Sequence, residues 1–136
     1  MTRLPDWDRR LARVTEKHLR MPGAWGVSDC VLTVGEAVEA VTGENPFACF
    51  AGRYTTEIGA ARVMRKEGFA SIEEAFDGYF VLCPRLRAQR GDVGIVMQGG
   101  QPTACYMTEY GAAAKGPAGL VFHAQTDLVR AYRIGR

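Results

Sequence analysis

The sequence predicts an α+β domain, with helices in its first half packed on an antiparallel β-sheet built from its second half. Two observations carry this. Apolar residues recur at helical spacing up to about residue 80, each segment opening on a capping residue. After Pro84 the pattern changes to short alternating runs separated by glycine turns, the signature of antiparallel strands. At 136 residues the chain has room for one such core and too little for two.

The elements follow in order. Asp6 is placed as a helix N-cap, and Trp7, Leu11, Val14 and His18 recur at helical spacing, so residues 6–20 read as an amphipathic helix. Met21-Pro22-Gly23 ends it. A second helix starts at Asp29 and carries Cys30, Val31, Val34, Ala37, Val38 and Val41, with Gly43 as its stop. Its β-branched residues make it depend on tertiary packing. Residues 45–54 form a loop with inward-facing Phe47, Phe50 and Tyr54. Thr55 or Thr56 caps a third helix ending at Gly68, and Ser71-Ile72-Glu73-Glu74 is a capping box that opens a fourth. Residues 92–97 and 103–109 read as a hairpin about Gln98-Gly99-Gly100-Gln101. Residues 111–119, all small apart from one lysine, read as a loop, and 120–125 and 128–134 as two further strands, giving a four-stranded sheet.

Bulk properties exclude several classes. A net charge of +2, with basic residues scattered and not interleaved with aromatics, argues against nucleic acid. The basic residues Arg9, Arg10, Arg13 and Lys17 read as a solvated helix face. No stretch is long and apolar enough to cross a membrane, and the start of the sequence has no apolar signal core. The four cysteines include no C-x-x-C pair, so neither a zinc site nor any other metal or cofactor is expected, and the thiols are expected to be reduced in a protein made in the cytosol.

Chemistry concentrates at Trp25-Gly26-Val27-Ser28-Asp29-Cys30. A cysteine on the first turn of a helix faces unpaired backbone N–H groups, which favour a thiolate and can hold an oxyanion. Ser28 or Asp29 can cap that helix, and Trp25-Gly26 supplies a tight approach with an aromatic wall. The alternative is that Cys30 is a small buried residue on a core helix. A base would have to be histidine, and only His18 and His123 are present. His18 shares a face with Trp7, Leu11 and Val14 and reads as core packing. His123 shares a strand face with Val121 and Gln125, opposite Phe122 and Ala124. Turned toward the second helix, that face would let His123 orient or activate Cys30; turned away, His123 is a surface or structural residue. Cys49, Cys83 and Cys105 read as packing residues. Arg90-Gly91-Asp92-Val93 reads as a strand start in which Asp92 bonds back to loop backbone, although the tripeptide also looks like an integrin ligand.

An aromatic-Gly-x-x-Asp-Cys at a helix start, followed by helices and then by Gly-Asp-Val opening an antiparallel sheet, resembles the NlpC-type cell-wall peptidases, papain-like cysteine hydrolases that cut peptidoglycan stem peptides. A closer similarity is to a phage and prophage branch of that superfamily. It runs through Leu4-Pro5-Asp6-Trp7, Trp25-Gly26, Asp29-Cys30, Gly52-Arg53-Tyr54-Thr55-Thr56, Gly59-Ala60, Arg90-Gly91-Asp92-Val93, Gly119-Leu120 and Arg130-Ala131-Tyr132-Arg133-Ile134. Such genes typically sit among phage tail genes. The resemblance implies one NlpC-like domain over residues 1–136, a place in the virion at the tail tip, and partners among tail and baseplate proteins. It makes Cys30 the nucleophile position, Asp29, Ser28 and Trp25 its support, and His123 the third, orienting position. Where the enzymes carry the base histidine, this chain has Thr103-Ala104-Cys105, and Thr103 cannot act as a base at neutral pH. Losing a general base removes roughly 10²- to 10⁴-fold of rate. Two expectations follow. One is a structural tail component with a degenerate peptidase fold. The other is an active peptidoglycan endopeptidase or amidase used in host entry, with His123 taking the proton.

Overall fold

In a computed structural model, which describes residues 1–135, the chain is α+β: four helices come first and a six-stranded antiparallel sheet follows. The helices are α1 (Trp7–Leu19), α2 (Cys30–Thr42), α3 (Glu57–Lys66) and α4 (Ile72–Tyr79). The strands are β1 (Val81–Cys83), β2 (Val93–Gln98), β3 (Gln101–Thr108), β4 (Gly111–Gly116), β5 (Gly119–His123) and β6 (Leu128–Arg133), in the spatial order β1-β6-β2-β3-β4-β5. Among the described residues no helix is long and apolar enough to cross a membrane.

Local signals set most boundaries. Asp29 Oδ1 accepts from Leu32 N at 3.0 Å, Thr56 Oγ1 from Gly59 N at 3.0 Å and Ser71 Oγ from Glu74 N at 3.1 Å, so three helices open on side-chain caps. Gly43 closes α2, its N–H donating to Glu39 O at 2.7 Å. The β2–β3 turn falls on Gly99 and Gly100 with φ of 58° and 77°, the two left-handed positions a two-residue hairpin needs.

Three expectations are corrected. Asp6 occupies the N-cap of α1 but caps no backbone N–H; its carboxylate instead accepts from Arg10 Nε at 2.9 Å, one turn on. Residues 111–119 are not a loop: β4 and the start of β5 occupy them, and with β1, a three-residue strand at Val81–Cys83 that the sequence reading also lacked, the sheet has six strands rather than four. Alanine has low strand propensity, which hid β4 in the sequence. In the fold those alanines are required, because β4 is buried on both faces. Ala113 packs toward the helices, while Ala112 and Ala114 pack on the opposite side with Val96, Cys105, Met107, Leu128 and Ala131. The third correction concerns Cys49, which is exposed: Phe47 and Phe50 fill the core on either side of it, and the turn between them faces outward. Cys105 does pack, fully buried between strands.

The main core lies between the helices and the sheet. α2 is its centre, buried along Val31, Leu32, Val34, Ala37, Val38 and Val41. A cluster of rings from Phe47, Phe50, Phe76, Phe80 and Tyr132 fills the space beside it, with neighbouring centroids 5.2–6.1 Å apart. Asp92 is fully buried and bonds back to backbone, accepting from Gln89 N at 2.8 Å and Ile134 N at 2.9 Å. The Arg-Gly-Asp tripeptide is therefore a strand entry with no carboxylate to present.

Candidate functional site

The loop before α2 is shaped to deliver Cys30. Ser28 donates to Pro22 O at 2.7 Å and so serves the loop, not the reaction centre. Gly26 has φ 79°, and a Cβ there would lie 2.0 Å from Tyr54 O, so the loop can lie against residue 54 only without a side chain. Asp29 is the hub. Its buried carboxylate accepts from Leu32 N, from Gly26 N at 2.9 Å and from the Tyr54 hydroxyl at 2.7 Å. One side chain thus caps α2, fixes the loop and holds the 45–54 segment, a role for Tyr54 that the sequence did not reveal. Burial, and then its bond to Asp29, push the Tyr54 hydroxyl far up.

Cys30 is the first residue of α2 and half-buried, as the helix-start reading required. Its thiol does not behave as that reading predicted. Burial pushes it up to about 11, and the adjacent Asp29 charge adds to this. The backbone amides of Ala104, Val31 and Cys30 itself act in the opposite direction and are outweighed. The thiol is therefore protonated at neutral pH.

Cys30 lies in a cleft of about 610 Å³ between the loop before α2, the starts of α3 and α4, and the β2–β3 and β4–β5 ends of the sheet. Trp25 lines it and is 43% exposed, the aromatic wall expected. Thr103 lines it too, with its hydroxyl donating to Gln101 O at 3.0 Å. His123 does not line it. Leu120 and Phe122 pack toward the helices, so Val121 and His123 point to the other face, and His123 pairs with Ala112 of the second core. His123 Nε2 bonds Gln98 Oε1 at 2.7 Å, and no hydrogen bond joins it to Cys30 among the described residues.

His18, read as a packing residue, sits in a buried polar chain. Its Nε2 bonds the Glu36 carboxylate, and its Nδ1 lies 2.8 Å from Lys115 Nζ. Lys115 also donates to His18 O at 3.3 Å and Met21 O at 2.8 Å, closing the C-terminal end of α1 from β4. Burial lowers both His18 and Lys115, whereas Glu36, which burial alone would raise, is held down by its bonds to Lys17 and His18. The one sequence signal for this chain was a lone lysine in a run of alanine and glycine. Among the described residues no three His, Cys, Asp or Glu side chains converge as metal ligands.

Four helices packed on an antiparallel sheet, one of them bearing a cysteine at its capped N-terminus, define the class: an α+β domain with a cleft at that helix start. The chain matches the model of a domain of unknown function, DUF6950, over residues 2–134, and it belongs to that family. No curated protein and no solved structure matches it.

Proposed function

We propose that this chain is a phage tail-tip or tail-assembly component, a degenerate NlpC-type papain-like domain that docks onto other tail or baseplate proteins and does not hydrolyse peptidoglycan. The observation that carries the non-hydrolytic half is the isolation of Cys30. His123 points to the opposite face of the sheet, and burial keeps the thiol protonated. Nucleophilic catalysis by cysteine needs a thiolate and a base within hydrogen-bond reach, and Cys30 has neither. The tail placement rests on the run of short motifs from Leu4 to Ile134.

Incubation of the purified protein with purified sacculi tests the first half. No fragments should be released, by the parent or by Cys30→Ala. Release that disappears in Cys30→Ala would establish the competing reading, an active endopeptidase or amidase, for which the amides around the Cys30 sulfur are the supporting feature. Mass spectrometry of purified particles induced from cells carrying the gene tests the second half. The protein should be present in the virion, and its absence would remove the tail assignment.

A further inference from the structure

The charges lining the cleft beside Cys30 define the chemistry an occupant would meet. Four charged side chains line it: Asp29, Glu57, Glu73 and Lys115. Two of them are already satisfied. Asp29 accepts three hydrogen bonds, and Lys115 gives its three N–H groups to His18 and Met21. Glu57 and Glu73, on the first turns of α3 and α4, have no ion pair or hydrogen-bonded partner for their carboxylates among the described residues. The charge left to a ligand is therefore negative. Between these carboxylates the walls are mostly apolar, built from residues such as Trp25, Phe50, Met64 and Ile72. The volume of about 610 Å³ falls inside the range of roughly 300–1,000 Å³ typical of pockets that enclose a ligand.

One wall offers backbone. The β2–β3 ladder runs to Gln98↔Gln101, but the β3–β4 ladder stops at Cys105↔Ala114. Gly116 O at the end of β4 is taken by Gly23 N at 3.0 Å. Residues 101–104 of β3 thus present an open edge to the cleft. Met107 exchanges hydrogen bonds with residues 91 and 92, so alternation turns residues 102 and 104 toward the β4 side. There Pro102 has no N–H to leave unpaired, so at that position the edge offers carbonyl oxygen alone. An open strand edge beside apolar walls fits an extended peptide.

We infer that the cleft holds an extended peptide segment of a partner protein, carrying a large apolar side chain flanked by lysine or arginine, with Glu57 and Glu73 taking the cations and Trp25 the apolar group. This rests on the docking reading above and names the chemistry of the partner.

Calorimetric titration with two blocked tetrapeptides, Lys-Phe-Leu-Lys and Glu-Phe-Leu-Glu, tests it, with Glu57→Gln/Glu73→Gln and Trp25→Ala beside the parent. The cationic peptide should bind at least about fivefold tighter than the acidic one. That preference should shrink with added salt and disappear in the double glutamine variant, while Trp25→Ala should weaken both peptides. Glu57 is exposed and Glu73 half-buried, and unchanged circular dichroism of Glu57→Gln/Glu73→Gln would show that the fold survives the change. Equal binding of both peptides, no binding of the cationic one at millimolar concentration, or a preference untouched by the glutamines would overturn the inference. So would tighter binding of a soluble muropeptide than of the cationic peptide. The two readings fail separately. Cys30-dependent cleavage of sacculi ends the docking role whatever the peptides do, whereas intact sacculi with indifferent peptides end only the assignment of the cleft.

Discussion

At the scale of single residues, Asp29 and Cys30 show how neighbours with one backbone setting diverge. The helix start gives both of them N–H groups, but Asp29 takes its share as a carboxylate with three donors, whereas Cys30 is held by burial as a neutral thiol. Substituting Asp29 by alanine orphans Leu32 N, Gly26 N and the Tyr54 hydroxyl together. It should cost about 3 kcal/mol in urea denaturation, against about 1–2 kcal/mol for Tyr54→Phe, which removes one donor and leaves the cap. The thiol makes an independent prediction. With the group pushed up to about 11, fewer than roughly one thiol in a thousand is ionised at pH 7.5. Alkylation of Cys30, followed by mass spectrometry against exposed Cys49 as an internal reference, should be the slower of the two at pH 7.5 and should accelerate up to about pH 11. A Cys30 rate that levels off near pH 7 would contradict the environment described.

At the scale of elements, the chain Glu36–His18–Lys115 ties α2, α1 and β4 together. Neutral His18 can accept from Lys115 at Nδ1 while donating to Glu36 at Nε2; the doubly protonated ring has no acceptor left and faces an ammonium. Its pKa in the fold is lowered below 6.5, so as pH falls the unfolded chain takes up this proton first. The contribution is complete above about pH 6.5 and is lost below it, down to the lower value at which folded His18 itself titrates. Urea midpoints should therefore drop between pH 7.5 and 5.5, a range above that of ordinary carboxylates, and His18→Gln should flatten the dependence. Lys115→Met should cost about 3 kcal/mol at pH 7.5, because Met21 O and His18 Nδ1 lose their donor inside the protein. Elements whose signals are local were legible in the sequence: the Asp29, Thr56 and Ser71 caps and the Gly99-Gly100 hairpin stand where capping and turn chemistry put them. β4 was not, since an alanine run carries no strand signal until two cores close on it. The candidate site divides the same way. Cys30 and Trp25 follow from one contiguous motif, whereas alternation gave His123 two possible faces and only packing on Phe122 decides between them. The Tyr54–Asp29 bond and the lysine on His18 join positions 25 and 97 residues apart, beyond any spacing rule.

At the scale of the whole molecule, the two ends of the described chain close on one buried carboxylate. Arg3 donates through Nη2 to Asp92 at 3.0 Å, through Nη1 to Arg90 O at 2.8 Å and through Nε to Ile134 O at 2.9 Å, and its guanidinium lies 4.3 Å from the centre of the Trp7 ring. Arg3 N also donates to Gly135 O, and Leu4 N to Val41 O at the end of α2. The segment before α1, the entry to β2 and the exit of β6 thus share a polar hub, and the helical and sheet halves are joined through it as well as through apolar packing. If the hub makes the halves one cooperative unit, its two charged members must be energetically coupled. Arg3→Met should cost about 2–3 kcal/mol and Asp92→Ala about 3–5 kcal/mol, the larger figure because Gln89 N and Ile134 N are left unpaired as well. The double variant should cost less than the sum by about 1–2 kcal/mol, since each single change already breaks the shared ion pair. Urea unfolding followed at once by circular dichroism and by tryptophan fluorescence gives both readings. Strict additivity would show that the ends are anchored independently, and separate transitions in the parent protein would show that the helices and the sheet do not unfold together.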